Sequence, residues 1–217
     1  LFNYDFSKKS CNNIVMPIFI NHRINTVSKL LKLKDLDGCE TDVRDFKKKL
    51  VLSHDPFQDG EDFEKFLKYT KNKVIFLNIK SCGIINKILA KTKNNNRIFF
   101  LDLSFSEISY LIEKKLAKKI ILRFSKYESF NLKKSFFRNI EWIWYDFFDK
   151  QYINSEHYKY LKKYKKKICL VSPELLNQSE KEVIKYIKYL NKNNFNIDAI
   201  CTKNKYKKIW EKNYKYK

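Results

Sequence analysis

Short apolar runs alternate with amphipathic segments along most of the chain. Eight of these runs are rich in β-branched and aromatic residues, which is typical of strands that are buried on both faces. The eight predicted strands span residues 17–22, 39–44, 74–80, 97–103, 119–125, 141–148, 168–174 and 197–203.

The segments between these strands place apolar residues at positions i, i+3 and i+4, which is the period of an amphipathic helix. Six of them predict helices, over residues 25–33, 61–70, 83–92, 106–116, 154–165 and 180–193. Residues 127–137 predict a weak helix or a short turn, and residues 205–213 predict a short final helix. Residues 48–57 predict an additional extended piece rather than a helix.

Eight strands, each followed by a helix or a helix-like connection, predict an α/β protein with a (β/α)8 TIM barrel. A doubly wound open sheet is the alternative, although the chain lacks the glycine-rich first turn of a dinucleotide-binding fold. A chain of 217 residues is long enough for one sizeable core. Because no linker or change of composition divides it, we expect a single domain over residues 1–217.

The chain is strongly basic, with 46 Lys and Arg against 24 Asp and Glu and a net charge of +22. The lysines are spread over nearly every segment, which indicates solvated surfaces more than a dedicated binding patch for polyanions. No nucleic-acid-binding motif accompanies the charge, so nucleic acid is not a favoured partner. A basic nucleic-acid binder stays a lesser alternative, and it predicts a steep loss of affinity with salt and no dependence on His22.

The five cysteines form no CxxC pair, and four of them lie in or beside apolar runs. An odd number of buried thiols fits a reducing compartment better than a framework of disulfides. No apolar run approaches the roughly 18–20 residues that a membrane-spanning helix needs. We therefore expect a cytoplasmic protein without a membrane segment, and the sequence predicts nothing about its oligomeric state.

Each predicted strand becomes polar at its C-terminal end. In a barrel these ends form one rim, where active sites are built. The polar residues at this rim are His22, Arg23, Glu40, Asp42, Asn78, Lys80, Asp102, Arg123, Asp146, Glu174 and Lys203. The candidates for substrate contact among the residues at or near the strand ends are Arg123, Glu128, Trp144, Asp146, Glu174 and Lys203. Because Trp142 and Trp144 share one face of a strand, packing against helices or in the barrel core is the alternative for both.

Glu40 and Asp42 lie two positions apart on one predicted strand, so their side chains project to the same face. Inside a barrel the two carboxylates would repel each other unless a cation sat between them. Oxygen ligands on a rigid strand suit Mg²⁺ or Ca²⁺ better than zinc. This pair alone is more typical of a surface strand, but together with His22, Arg23 and Lys80 it predicts metal-assisted phosphodiester chemistry.

The segments "NHRINT", "ETDVRD" and "SHDPF" together resemble the glycerophosphodiester phosphodiesterase family, whose signature is HR, then E-x-D, then HD. The segment "LNIK" matches the place where that family has a strand ending in E-x-K. The sphingomyelinase D enzymes are similar, with D-x-K there, and both groups are phosphatidylinositol-phospholipase-C-like barrels. The match covers residues 20 to 80, and beyond it only the rhythm of strands agrees.

The resemblance implies a phosphoric diester hydrolase in which His22 and His54 are the catalytic acid–base pair. It also implies that Arg23 and Lys80 bind phosphate oxygens, Arg23 as a fork and Lys80 as a point charge. In the resembled families a neighbouring substrate hydroxyl can attack first and give a cyclic phosphate. The implied substrate is a glycerophosphodiester or another small or polysaccharide-linked phosphodiester.

The same resemblance implies that Glu40 and Asp42 hold a divalent cation. The third metal carboxylate of the family is replaced by Asn78, whose amide oxygen can still be a ligand but carries no charge. Asp102, on the next strand, is the residue that could supply the missing carboxylate. The glycine that usually follows HR is replaced by Ile24, so the first loop must differ. The departure at Asn78 supports an alternative function, a noncatalytic phosphate-binding relative with a degenerate metal site.

Overall fold

The structure is a computed structural model that describes residues 16–34, 36–128 and 137–216. Its strands are β1 (Ile18–Asn21), β2 (Gly38–Phe46), β3 (Lys49–Leu52), β4 (Glu61–Asp62), β5 (Ile75–Ile79), β6 (Ile98–Leu101), β7 (Ile121–Phe124), β8 (Trp142–Tyr145), β9 (Lys167–Val171) and β10 (Ala199–Thr202). Eight of them overlap the eight predicted strands, so the strand prediction is confirmed. The extended piece predicted over residues 48–57 contains β3.

The eight predicted strands are parallel and follow one another as neighbours. Strands β5, β2, β1, β10, β9, β8 and β7 are hydrogen-bonded in that order, and β6 pairs with the other side of β5. A parallel bridge between Phe100 and Ile120 connects β6 to the residue before β7. This order is that of a (β/α)8 TIM barrel, and the predicted fold class is confirmed. Strands β3 and β4 extend β2 as an antiparallel ribbon.

The helices of the described residues are α1 (Val27–Leu30), α2 (Phe63–Leu67), α3 (Ile85–Thr92), α4 (Phe105–Glu113), α5 (Ser155–Lys163), α6 (Glu180–Lys192) and α7 (Asn204–Asn213). They follow the helical predictions, except that most of the weak helix predicted over 127–137 lies outside the described residues. Helix α4 begins earlier than expected, because Ser104 and Glu107 form a capping box. No helix in the described part of the chain has the length and apolar character to cross a membrane.

Aromatic side chains fill part of the space that the strands enclose. The rings of Phe76 on β5 and Trp142 on β8 lie 5.2 Å apart, and Phe99 and Trp144 also contact this pair. Because β5 and β8 are not neighbours in the sheet, these rings meet across the interior. Trp142 and Trp144 are both buried, so the alternative that both tryptophans pack in the barrel core is confirmed.

A buried ion pair attaches the last helix to the N-terminal end of the barrel. Lys207 on α7 contacts both oxygens of Asp37, at 2.5 and 2.7 Å, and both side chains are buried. Asp37 immediately precedes β2. This contact lies opposite the rim where the candidate functional residues collect, so its role is to hold the fold together.

Several helices end in a residue with left-handed backbone. Lys115, Lys165 and Asn194 follow α4, α5 and α6 with φ values of 60°, 53° and 54°. Glycine is the usual residue at such positions because it has no Cβ to clash. The chain has only three glycines, and Gly83 has a positive φ. Lysine and asparagine therefore form these turns in place of glycine.

Candidate active site

The end of β1 places His22 and Arg23 against the carboxylate of Glu40. The backbone N–H of His22 donates to the carbonyl of Thr202 on β10 at 3.1 Å, which fixes the strand end. The Arg23 N–H donates to Glu40 Oε2 at 2.8 Å, and Arg23 has a left-handed φ of 54°. This turn brings His22 Nε2 to 3.8 Å from Glu40 Oε2.

Glu40 and Asp42 are both buried on β2, and each receives a separate set of donors. The amide Nδ2 of Asn78 donates to Glu40 Oε1 at 3.1 Å. Asn25 Nδ2 donates to Asp42 Oδ2 at 2.9 Å, and Lys80 Nζ lies 3.4 Å from Asp42 Oδ1. The two carboxylates, Asn78 and Lys80 thus form one cluster, as the sequence predicts.

The environment of this cluster shifts the pKa values of two groups in opposite directions. Burial, followed by the charge of Asp42, raises the pKa of Glu40 to about 7. Burial, followed by the charge of Arg23, lowers the pKa of His22 to about 4. At pH 7 the His22 imidazole is therefore neutral and does not compensate the charge of the Glu40 carboxylate.

His54 lies in the loop after β3 and is held from two sides. Its Nδ1 lies 2.7 Å from Asp55 Oδ1, and its Nε2 lies 2.7 Å from Arg23 Nη2. A carboxylate can only accept, so Nδ1 carries the proton and Nε2 accepts from the guanidinium. Arg44 donates to the carbonyls of Ser53 and His54 at 3.2 and 2.8 Å, which fixes this loop.

Two buried oxygens in the cluster accept no hydrogen bond from the described residues, Asp42 Oδ1 and Asn78 Oδ1. Such oxygens are ligands that Mg²⁺ and Ca²⁺ prefer. Two carboxylates and an amide oxygen therefore fit a hard divalent cation. Among the described residues no group of three His, Cys, Asp or Glu side chains forms a metal cluster, so an amide oxygen has to complete this set.

Asp102 does not join the carboxylates of β2. Its two oxygens accept from Arg123 Nε and Nη2 at 2.9 and 2.7 Å. Arg123 also binds Asp146, which accepts from Trp144 Nε1 at 3.2 Å and from the Phe147 N–H at 2.8 Å. The structure thus places three of the predicted substrate contacts, Arg123, Trp144 and Asp146, in a network that connects β6, β7 and β8.

Glu174 is buried and points into the protein rather than toward the rim surface, where the sequence places it. Its Oε1 accepts from Thr202 Oγ1 at 2.6 Å and from the Lys203 N–H at 3.0 Å. The hydroxyl of Ser172 donates to its other oxygen. Glu174 therefore fixes the end of β10, whereas Lys203 is exposed beside it at the rim.

Two residues of the site have no role in the sequence-based prediction. Asn25 Oδ1 accepts from Thr41 Oγ1 at 3.0 Å and from the Asp42 N–H at 2.9 Å, so Asn25 holds β2 as well as the Asp42 carboxylate. Arg44 fixes the His54 loop. Arg44 follows Asp42 by two positions and so shares its strand face, which is the only sequence signal for it; no pattern singles out Asn25.

No family model matches the chain, and no curated protein matches it. Three of the solved structures that match it have sequence identities of 15%, 13% and 11%. A protein of Galdieria sulphuraria assigned as a glycerophosphodiester phosphodiesterase has a TM-score of 0.65 over 88% of this chain and 95% of its own. A glycerophosphodiester phosphodiesterase of Parabacteroides distasonis has a TM-score of 0.63 over 90% and 98%. A glycerophosphoryl diester phosphodiesterase of the same organism has a TM-score of 0.65 over 87% and 83%. The chain therefore has the fold of the glycerophosphodiester phosphodiesterases.

Proposed function

We propose that the protein is a metal-dependent phosphodiesterase that hydrolyses a glycerophosphodiester or a related small or polysaccharide-linked phosphodiester. The observation that carries the proposal is the meeting of two histidines with a buried carboxylate pair at the strand ends of this fold. His22 lies against Glu40, and His54 reaches the same turn through Arg23. The solved structures that share the fold carry the name of this activity.

Arg23 and Lys80 are the groups that would bind the phosphate. The Arg23 guanidinium contacts His54 Nε2 at 2.7 Å, and Lys80 lies at the edge of the carboxylate pair. A phosphate oxygen is a stronger acceptor for a guanidinium than a neutral imidazole is. Substrate binding would therefore draw the guanidinium onto the phosphate and leave His54 Nε2 free for proton transfer.

His22 and His54 would divide the proton transfers between them. Because His22 is neutral at pH 7, it would accept the proton of the attacking hydroxyl, which is a neighbouring hydroxyl of the substrate or a water. Once Arg23 has moved to the phosphate, His54 would take up a proton from solvent at Nε2 and deliver it to the departing oxygen, with Asp55 fixing the orientation of its ring at 2.7 Å. A cyclic phosphate forms when the substrate hydroxyl attacks.

Glu40, Asp42 and the Oδ1 of Asn78 would hold Mg²⁺ or Ca²⁺. Bound there, the cation neutralises negative charge that builds on the phosphoryl oxygens. Two observations support this assignment: Asn78 Oδ1 and Asp42 Oδ1 accept no hydrogen bond from the described residues, although Asp42 Oδ1 forms an ion pair with Lys80, and the pKa of Glu40 is raised. Because Asn78 carries no charge, we expect weaker metal binding than three carboxylates would give.

A noncatalytic phosphate-binding protein is the second candidate, and one contact favours it. Asn78 Nδ2 donates to Glu40 Oε1 at 3.1 Å, which partly satisfies the carboxylate without any cation. This candidate retains phosphate binding by Arg23 and Lys80. It differs from the first candidate in having no turnover and no metal dependence.

Hydrolysis of bis(p-nitrophenyl) phosphate and of glycerophosphodiesters, with Mg²⁺, with Ca²⁺ and with EDTA, tests the proposal. We expect His22→Gln to reduce metal-dependent turnover by about 10²–10⁴-fold, the usual contribution of an acid–base group. His157→Gln is the matched control, because His157 lies on α5 and contacts Tyr145 instead. Absence of turnover with every metal, with phosphate binding retained, would refute the hydrolase and support the binder.

A further inference from the structure

Helices α6 and α7 lie side by side on the outside of the barrel. They follow β9 and β10, which are parallel neighbours in the sheet, so the two helices run in the same direction. Two hydrogen bonds join their C-terminal ends, from Asn191 Nδ2 to the Asn213 carbonyl at 2.8 Å and from the Lys215 N–H to Asn191 Oδ1 at 2.9 Å. The two helices therefore present one continuous outer face.

Each of these helices carries a row of exposed lysines on that face. The row on α6 has the spacing i, i+4, i+7 and i+11, and the row on α7 has the spacing i, i+3 and i+7, so each row follows one side of its helix. Buried residues such as Tyr186 and Trp210 lie on the opposite sides. The exposed lysines of the two rows are Lys181, Lys185, Lys188, Lys192, Lys205, Lys208 and Lys212.

The acidic residues of α6 and α7 do not neutralise these rows. Within the described part of the chain, Lys185 alone among the row lysines has an acidic partner, Glu182, at 3.8 Å. Glu211 on α7 lies 3.7 Å from the buried Lys207, and Glu180 lies in the first turn of α6, where a negative charge stabilises the helix end. Lysines at positions i and i+4 repel each other and lower the stability of a helix. A bound polyanion would therefore stabilise both rows.

Two comparisons distinguish this face from the rest of the surface. On α2, Lys65 pairs with Glu61 at 2.8 Å. On α3, Lys91 pairs with Glu64 at 2.5 Å. The large apolar side chains that are exposed among the described residues all lie outside α6 and α7. The face of α6 and α7 is thus basic, mostly without acidic partners, and it has no apolar anchor within the described ranges.

We propose that the face of α6 and α7 binds the phosphate backbone of a double-stranded nucleic acid. The row on α6 extends over about 16 Å, at about 1.5 Å per residue, and packed helices lie about 8–10 Å apart. The two phosphate rows that border a groove of B-DNA are separated by about 6 Å in the minor groove and about 12 Å in the major groove. Long lysine side chains on two parallel helices can therefore reach both phosphate rows at once.

The chemistry of the face favours a nucleic acid over the other polyanions. A membrane-binding helix inserts apolar side chains into the lipid, and a protein interface has an apolar core. Phosphate contacts need only cations, and they read no base sequence. DNA and RNA duplexes share this backbone, and the duplex that binds more tightly identifies the source. The inference is independent of the proposed function, because the face lies on the side of the barrel and not at the rim that carries His22.

Fluorescence anisotropy with labelled duplexes of about 20 base pairs, at salt concentrations between about 50 and 200 mM, tests the face. The seven lysines predict a slope of about −6 for the logarithm of the association constant against the logarithm of the salt concentration, at about 0.9 per phosphate contact. The triple variant Lys188→Gln, Lys208→Gln and Lys212→Gln should reduce the magnitude of this slope by about 2.7. All three side chains are exposed, so the variant should fold like the wild type.

The matched control has the same change of net charge on the opposite side of the barrel. It is the triple variant Lys87→Gln, Lys93→Gln and Lys114→Gln, whose side chains are exposed at α3 and α4, and it should leave the slope unchanged. An equal change of slope in both triple variants would overturn the inference, because binding would then follow net charge alone. Absence of duplex binding at about 50 mM salt would also overturn it, and adsorption to phosphatidylserine vesicles in its place would assign the face to an anionic membrane. His22→Gln should bind the duplexes as the wild type does, so loss of the chemistry and loss of this face are separate results.

Discussion

Asn78→Asp restores the carboxylate that the resembled family has on this strand, and its cost can be worked from the contacts. In the wild type Asn78 Nδ2 donates to Glu40 Oε1 at 3.1 Å. An ionised carboxylate at position 78 would have no proton to donate and would repel the Glu40 carboxylate. The new carboxyl avoids this repulsion by remaining protonated. Keeping a carboxyl with a usual pKa of about 3.9 neutral at pH 7 costs about 4 kcal/mol, at 1.36 kcal/mol per pH unit.

The sign of this effect gives the variant a diagnostic pH dependence. Because the folded state raises the pKa of the new carboxyl, its cost is absent below about pH 3.9 and grows as the pH rises. In EDTA we therefore expect Asn78→Asp to be about 4 kcal/mol less stable than the wild type at pH 7 and nearly as stable at pH 4. Asn78→Asp should bind a divalent cation more tightly than the wild type does, since the site gains a charged ligand. A free metal concentration of 100 times Kd would return about 2.7 kcal/mol.

Urea unfolding at pH 4 and pH 7, in EDTA and in Mg²⁺ or Ca²⁺, measures these differences. Asn21→Asp is the matched control: Asn21 is also buried with an unpartnered Oδ1, but its strand position points away from that of His22. We expect this control to be destabilised and not rescued by metal. If Asn78→Asp is as stable as the wild type in EDTA at pH 7, or gains no more than the wild type from metal, the reasoning about this site is wrong.

Three further substitutions test other contacts. The wild type should lose about 3 kcal/mol of stability as the pH falls from 6.5 to about 4, because burial keeps the folded His22 imidazole neutral while the unfolded one becomes charged. His22→Gln should abolish this loss, and equal pH profiles of urea unfolding in both proteins would contradict this. Arg123→Met should cost about 3–5 kcal/mol at pH 7 and less at pH 4, where Asp146 can be protonated, as read from thermal unfolding at both pH values; a cost that does not fall with pH would count against it. Lys207→Met should cost about 3–5 kcal/mol by leaving Asp37 buried without its cation, and Lys207→Met combined with Asp37→Leu should recover much of this in the same assay.

The strands and the carboxylate pair could be predicted because each depends on residues close in sequence. Buried parallel strands are continuous apolar runs, and all eight were identified from this property. Positions two apart share a face, which places Glu40 and Asp42 together without knowledge of the neighbouring strands. The catalytic roles of His22 and His54, the single domain and the cytoplasmic location stay predictions.

The side-chain partners across strands could not be predicted in the same way. Asp102 and Asn78 both lie at strand ends, and nothing in the sequence indicates that Arg123 binds both carboxylate oxygens of Asp102. Glu174 follows a proline that begins a 3-10 turn, and this turn directs the carboxylate inward to β10. Such choices depend on the register between β5, β6 and β7 and on the shape of loops, which local patterns do not contain.

The lysines and the asparagine with left-handed backbone at the helix ends lower the stability of this protein at positions away from the candidate site, so replacing them should raise its thermal stability. A residue with a Cβ in this conformation carries a cost of roughly 1–2 kcal/mol that glycine avoids. Lys115 and Lys165 end helices whose chain then enters the N-terminal side of the barrel, far from His22. Glycine at these two positions should give a more heat-resistant protein, in which destabilising changes such as Asn78→Asp can still fold.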